Sequence, residues 1–235
     1  VNWIYPWDGM IDLHEYYKYN TNKKNDLALM GQTFIQLNPV KGLTIRAQQA
    51  IDAYVYDGEA KNMPSYTPYS GRGRVSEYFE KYYQLSSTNT IEYKNNINKT
   101  HFFTGLIGHE SLLKHVKSFS VLGTGLTDDR LTELGSTTQV EDWGGSWQEC
   151  AFNSFFANFN YSYLDRYFID ASVRTDGSSL FGKNHRYATF WSAGAMWKIK
   201  SENWMKNVNW VNELSLGLTY GTTGNSGLSG WYNSL

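Results

Sequence analysis

Phe155-Phe156-Ala157-Asn158-Phe159-Asn160-Tyr161-Ser162-Tyr163, then Leu164-Asp165-Arg166, then Tyr167-Phe168-Ile169-Asp170-Ala171-Ser172-Val173, is the stretch on which the fold turns. Side chains alternate across a strand, so Phe155, Ala157, Phe159, Tyr161 and Tyr163 share one face, opposite Ser154, Asn158, Asn160 and Ser162. In the second run Tyr167, Ile169, Ala171 and Val173 oppose Asp170, Ser172, Arg174 and Asp176. No charge falls on either apolar face, and Leu164 to Arg166 leaves room only for a tight turn. The stretch reads as two amphipathic strands in a hairpin.

The pattern repeats on both sides. Trp191, Ala193, Ala195, Trp197 and Ile199 oppose Phe190, Ser192, Gly194, Met196 and Lys198. In Glu213 to Thr223, Leu214, Leu216, Leu218 and Tyr220 oppose Ser215, Gly217, Thr219 and Gly221, which places Leu216 in mid-strand on the apolar face. Earlier, Leu27 to Leu37 and Leu43 to Val55 flank Asn38-Pro39-Val40-Lys41-Gly42, a turn punctuated by Pro and Gly. Ser87 to Lys94 and His101 to Ser111 flank Asn95 to Thr100, and the pattern of the latter strand leaves its faces undecided. The expected total is about eight strands.

Connection lengths alternate. Short ones fall around Asn38 to Lys41, Asn96 to Lys99 and Leu164 to Arg166, and long ones at Asp57 to Ser86, Leu112 to Ala151 and Gly177 to Ala188. Lys200 to Asn212 departs from the rule by being moderately long on the short side. Short turns on one rim and long loops on the other are the organisation of an outer-membrane barrel.

Composition narrows the class further. The 235 residues carry a net charge of -1, which gives no basic surface to track a phosphate backbone and argues against nucleic acid as a partner. No run approaches the roughly 20 apolar residues of a transmembrane helix. With 18 Tyr, 12 Phe, 9 Trp and 21 Gly the chain favours strands over long helices. Its single cysteine, Cys150, permits no internal disulfide. Val1 opens without an export signal, and Gly227 to Leu235 reads as mid-loop, so a piece of a longer protein is expected.

Alternation alone fits two arrangements: a soluble sandwich with its apolar face on a second sheet, or a barrel with that face on lipid. Aromatic placement favours lipid. Tyr161, Tyr163 and Tyr167 cluster beside the Leu164 to Arg166 turn, with Trp197 at the turn end of its own strand. Phe155, Trp191 and Tyr220 sit at the other ends. Rings with a polar tip favour the membrane-water boundary.

The run Ser154 to Tyr167 resembles the strand-turn-strand segment of SusC/RagA-type TonB-dependent outer-membrane transporters. Arg174-Thr175-Asp176-Gly177-Ser178-Ser179-Leu180-Phe181-Gly182 is similar to the family's Arg-x-Asp-Gly-Ser-Ser-x-Phe block. Thr189-Phe190-Trp191-Ser192 with Ala195-Met196-Trp197 matches its next strand, with Trp191 where the family often has Pro. Ser201-Glu202-Asn203-Trp204-Met205 and Trp210-Val211-Asn212-Glu213-Leu214 resemble the family's periplasmic crossover, and Tyr220-Gly221-Thr222-Thr223-Gly224-Asn225 the strand ending that follows. From 27 to 135 the likeness is looser, resting on Val40-Lys41-Gly42-Leu43-Thr44 and Gly108-His109-Glu110-Ser111.

The resemblance implies an all-β fold in which residues 1–235 form part of an antiparallel transmembrane β-barrel of about 22 strands. The plug domain and TonB-contacting segment of the family lie outside this sequence. It implies import of an oligomeric nutrient, a glycan or a peptide, across the outer membrane of a Gram-negative cell, energised through the TonB complex and assisted by a SusD-like surface lipoprotein. The alternatives are a soluble β-sandwich that binds glycans and a passive porin.

No enzyme chemistry is expected. His109 and His115 are six residues apart, not the four that set two His on one helix face for zinc, so no metal and no cofactor are expected. The sequence near Asp176 lacks the Gly-x-Ser-x-Gly elbow, and Gly71-Arg72-Gly73-Arg74 lacks the Gly-Lys-Ser/Thr of a phosphate loop. Arg174 and Asp176 share the polar face and should pair with neighbouring strands rather than with substrate. Asp128, Asp129, Glu141 and Asp142 fall in the long connection Leu112 to Ala151, where oxygen-rich loops are able to hold calcium. The substrate-contact candidates are loop aromatics: Tyr66 and Tyr69 in one long connection, Trp143 and Trp147 in another.

Overall fold

A computed structural model describes residues 13–65, 72–180 and 186–224. After a short helix, α1 (Leu13–Tyr19), eight strands follow: β1 (Asn20–Leu37), β2 (Leu43–Asn62), β3 (Gly73–Ile97), β4 (His101–Leu126), β5 (Gln139–Tyr163), β6 (Tyr167–Ser178), β7 (Tyr187–Trp197) and β8 (Leu216–Gly221). They form one sheet in sequence order, each strand beside the next, and the β5–β6, β6–β7 and β7–β8 pairs are antiparallel. By contacts the chain divides into two compact units. One takes Val1–Leu29, Asp52–Tyr83 and His115–Gln148, and the other Met30–Ile51, Gln84–Lys114 and Glu149–Leu235.

In the second unit the pairing register carries the expected faces across four strands. Tyr163 pairs with Tyr167, which pairs with Trp197, which pairs with Leu216. Further along lie the rows Tyr161, Ile169, Ala195, Leu218 and then Phe159, Ala171, Ala193, Tyr220. Every position in these rows is apolar or aromatic. A one-residue slip would transpose Ser162, Asp170 and Ser192 onto this face, so the pattern itself selects the register. Leu216 therefore stands in the turn-end row beside Trp197, not in mid-strand as expected, because β8 begins only at Leu216.

Two tight turns use left-handed backbone. Asn98 and Lys99 (φ 53° and 59°) join β3 to β4, and Leu164 and Asp165 (φ 54° and 52°) join β5 to β6. Two consecutive residues at positive φ match the right-handed twist of the flanking strands. The Leu164 turn is closed by Arg166 N donating to Tyr163 O at 3.0 Å, and Leu164 N donates to Thr100 O at 2.8 Å. Gly42 (φ 86°) closes the β1–β2 turn, where any Cβ would collide with the Lys94 carbonyl oxygen.

The strands of the first unit run well past the expected boundaries. The connection expected at Asp57 to Ser86 is strand over 57–62 and 73–86, and that expected at Leu112 to Ala151 is strand over 112–126 and 139–151. Alternation marks a strand only where one face is apolar; Tyr54, Tyr56, Tyr78, Tyr82, Tyr83 and Thr124 have strand propensity without that contrast. The 127–138 connection is closed by Thr138 N donating to Thr124 O at 3.0 Å, and Asp129 Oδ1 accepts from Ser65 N at 3.0 Å. Glu141 and Asp142, expected in a loop, lie on β5.

The buried apolar side chains among the described residues are Val75 and Leu126 in the first unit and Cys150 and Met205 in the second. A water-soluble domain of 27.0 kDa exposes about 10,800 Å². This chain exposes 17071 Å². A soluble sandwich would need a second sheet on the apolar face, and the described strands supply none.

Candidate functional site

The second unit presents two chemically distinct faces. On the apolar one, rings gather beside the short turns and again partway along the strands. Near the short turns His101, Tyr163, Tyr167 and Trp197 form a chain of ring contacts at 4.8, 6.2 and 6.4 Å between centroids, and Tyr161 Oη lies 2.8 Å from His101 Nδ1. Further along the same face Trp191 meets Tyr220 edge-on at 5.8 Å, and His109 packs on Phe155 at 4.8 Å, partway along β4 and β5. The His109 ring is also 2.6 Å from Asn153 Oδ1, so this histidine is anchored by an amide and a ring. The turn-side cluster holds the rings expected there, whereas Phe155, expected at a strand end, lies mid-strand because β5 runs back to Gln139. The faces of β4 follow: His101 and His109 share the apolar side, Glu110 the opposite one.

On the polar face Arg174 is the hub. Its Nη2 donates to Glu110 Oε2 at 2.9 Å, its Nε to Asp176 Oδ1 at 2.5 Å, and its guanidinium lies 5.5 Å from the Phe156 ring centre. The pairing expected for Arg174 thus reaches β4 as well as its own strand. Ser154, Ser178, Phe152, Phe190 and Gly224 complete a cavity of about 390 Å³ around these charges. One guanidinium between two carboxylates leaves the recess with a net negative charge and aromatic walls, able to accept hydrogen bonds from hydroxyl or amide groups.

The first unit carries a second cluster, between β2 and β3. Tyr54 Oη donates to Glu80 Oε1 at 2.6 Å, and Tyr78 donates to the other carboxylate oxygen. Tyr54 stacks on Tyr82 at 4.8 Å, and Tyr56 meets Tyr78 edge-on at 5.3 Å. The alternation Tyr78-x-Glu80-x-Tyr82, with Tyr54-x-Tyr56 on the adjoining strand, was the signal in the sequence, and treating this region as loop concealed it.

Of the expected contact residues, Tyr66 and Tyr69 lie outside the described residues. Trp143 and Trp147 are not on a loop: both belong to β5, where their spacing of four keeps them on one face. Trp143 is 78% exposed, whereas Trp147 stands edge-on against His115 at 5.6 Å, with Tyr83 stacked on the same imidazole at 4.8 Å. Three of the acids expected in that loop, Asp128, Asp129 and Glu141, have protein partners. Asp128 is gripped by Arg130, whose hydrogen bonds hold its carboxyl down at about 2, and Glu141 meets Arg74 at 3.4 Å. Among the described residues no three His, Cys, Asp or Glu converge as a metal site would require.

Known proteins share this arrangement. The chain is 33% identical to a solved structure of the RagAB peptide transporter over 91% of its length, with a TM-score of 0.84. For the RagAB peptide importer in its open-open state the TM-score is 0.85 at the same identity. The chain is a SusC/RagA-type barrel segment. Its curated relatives include a TonB-dependent receptor of Formosa agariphila, 29% identical over 222 residues, and the TonB-dependent receptor SusC of Bacteroides thetaiotaomicron, 48% identical over 71 residues. No family model matches the sequence. The segment spans 22% of the Formosa agariphila receptor and 24% of the RagAB chain, while those matches cover 89% and 91% of the segment itself. The relatives are receptors and transporters.

Proposed function

We propose that this segment is part of the wall of a TonB-dependent importer in a Gram-negative outer membrane, where it separates lipid from the path of an oligomeric nutrient. Residues 1–235 all belong to the barrel in this reading, and the plug and TonB-contacting parts belong to other regions of the protein. The observation that carries it is the unbroken apolar register over β5 to β8 with a ring cluster beside the short turns, backed by the likeness to SusC and RagAB. A passive porin would need the same wall; the likeness to TonB-dependent receptors favours the active mechanism. The polar face then lines the interior. Its two clusters, Glu110–Arg174–Asp176 and Tyr54–Tyr56–Tyr78–Glu80–Tyr82, join Tyr66 and Tyr69 as candidate contacts for a glycan or a peptide. Trp143 and Trp147, expected among them, occupy odd positions of β5 like Phe155 and Phe159, on the opposite face, and are not candidates for that path.

Strand parity sets the sidedness of this reading. The short turns at 38–42, 98–100 and 164–166 share one rim with the 198–215 crossover, which is periplasmic; the connections at 63–72, 127–138 and 179–186 share the extracellular rim and meet a SusD-like lipoprotein. Cysteines placed at Ser136 and at Asp165 test it in a Cys150→Ser background of the full-length receptor. Ser136→Cys reacts with an impermeant maleimide on intact cells, and Asp165→Cys reacts only after the outer membrane is opened. Labelling of Asp165→Cys from outside overturns the topology.

A further inference from the structure

The crossover from β7 to β8, residues 198–215, is far longer than the other turns on its rim, yet it is not slack. It makes two 3₁₀ turns, Ile199–Ser201 and Asn203–Met205, and Met205 is buried. Lys200 Nζ donates to the carbonyls of Met205 at 3.1 Å and Val208 at 2.5 Å, drawing the segment into a knot. Its attachment shows which side of the wall it occupies. Glu202, 8% exposed, accepts from Tyr167 Oη at 2.6 Å, Trp197 Nε1 at 3.1 Å and Arg166 Nη1 at 3.2 Å. Tyr167 and Trp197 belong to the apolar face, so the crossover folds back against the lipid side of the wall rather than beneath the interior.

On this segment Trp204 and Trp210 are 63% and 86% exposed. An indole left in water keeps a large apolar surface hydrated, whereas at a membrane boundary it buries its ring and keeps its N–H among polar groups. We propose that the crossover is an interfacial foot: Trp204 and Trp210 insert at the boundary between headgroups and acyl chains of the adjoining phospholipid leaflet. Two features of the structure select phospholipid as the occupant. The Glu202 hydrogen bonds make the foot continuous with the Tyr163–Tyr167–Trp197 girdle, which marks the level of that boundary. Exposed Lys206, next to Met205, supplies an ammonium group for headgroup phosphates.

The proposal rests on the lipid-facing reading of the wall, and its test separates the two. The full-length receptor is reconstituted in phosphatidylcholine vesicles brominated either near the glycerol end or near the tail of the acyl chain. Emission of the Trp204→Phe/Trp210→Phe variant is subtracted from that of the parent, which isolates these two indoles. The expected difference emission is cut by about half or more by bromine near the glycerol end, less by bromine at the tail, and is shielded from aqueous acrylamide. Difference emission that neither lipid quenches overturns the proposal, whether it is open to acrylamide, as for a loop in water, or shielded from it, as for a foot covered by a protein or a second copy. Trp210→Phe alone, at the more exposed position, repeats the measurement should the double variant fail to fold. Trp191→Phe, on the wall, is the control: bromine quenching of its difference emission keeps the wall reading whatever the foot does, and its absence removes that reading.

Discussion

Arginine scanning across the apolar face of β7 and β8 tests the wall most directly. From Tyr163 to Phe155 the strand advances about 27 Å, or about 20 Å along the membrane normal at a tilt of roughly 40°. Phe159, Ala171, Ala193 and Tyr220 stand in one row halfway along that path. Arginine at the bilayer midplane costs about 2–4 kcal/mol, falling to about 0–1 kcal/mol near the interface. Ala193→Arg should therefore lower the folding equilibrium roughly 30- to 1,000-fold. Leu216→Arg, in the girdle row beside Trp197, should lower it only about fivefold or less, because the guanidinium reaches the headgroups. Ser192→Arg places the charge on the polar face one residue from Ala193 and should stay near the smaller cost, apart from losing the 2.7 Å hydroxyl contact with Ser172. The readout is reversible unfolding of the full-length receptor in lipid vesicles, with heat-dependent gel mobility reporting the folded barrel. Equal losses for Ala193→Arg and Ser192→Arg would show that the faces are misassigned; a Leu216→Arg loss matching that of Ala193→Arg would show that the depth is wrong.

The Glu202 carboxylate is held below its ordinary 4.5, chiefly by the Tyr167 hydroxyl and then by the Trp197 indole, so the stability it confers is complete above about pH 4.5 and disappears as pH falls through the lowered value. Glu202→Gln should remove that acid-dependent part, and unfolding curves of parent and variant should converge on acidification; a gap that persists unchanged refutes the linkage. Leu164 sits at φ 54°, a region costly for a side chain with Cβ, and Leu164→Asn should stabilise the β5–β6 turn by about 1 kcal/mol, read as a higher unfolding midpoint. The Arg174–Glu110 pair is solvated on both sides, and a double-mutant cycle with Arg174→Met and Glu110→Gln should give a coupling of about 1 kcal/mol or less, whereas several kcal/mol would mean a drier site.

Residues 154 to 221 were legible because lipid writes a contrast into the sequence. Ile169 beside Asp170 and Leu218 beside Thr219 announce their faces without help from the rest of the chain. The turn at Leu164 to Arg166 and the turn-side ring cluster followed from the same contrast; the long crossover followed from its length and from the resemblance to the family. Residues 57–62, 73–86, 112–126 and 139–151 lack it, and four strands were cut short there. The Glu80 cluster was lost with them, and so was the position of Trp143 and Trp147 on β5. Glu110 escaped for a different reason: with the faces of β4 undecided, nothing in the sequence aimed it at Arg174 across the intervening strand.

Only a few apolar side chains are buried in the described protein, and this changes what a substitution on the wall means. In a soluble core, trimming a leucine leaves a void that neighbouring atoms fill only partly, and the void adds its own penalty. In the proposed wall the outer neighbours are acyl chains, a liquid that flows into any vacancy. Ile169, Val173 and Leu218 are therefore held to a polarity rather than to a shape, and shortening any of them forfeits transfer energy alone. Such a surface drifts freely in size while its partner face, where Arg174 must meet two carboxylates, does not. Sequence divergence among proteins with this wall should accordingly be volumetric on the outside and chemical on the inside.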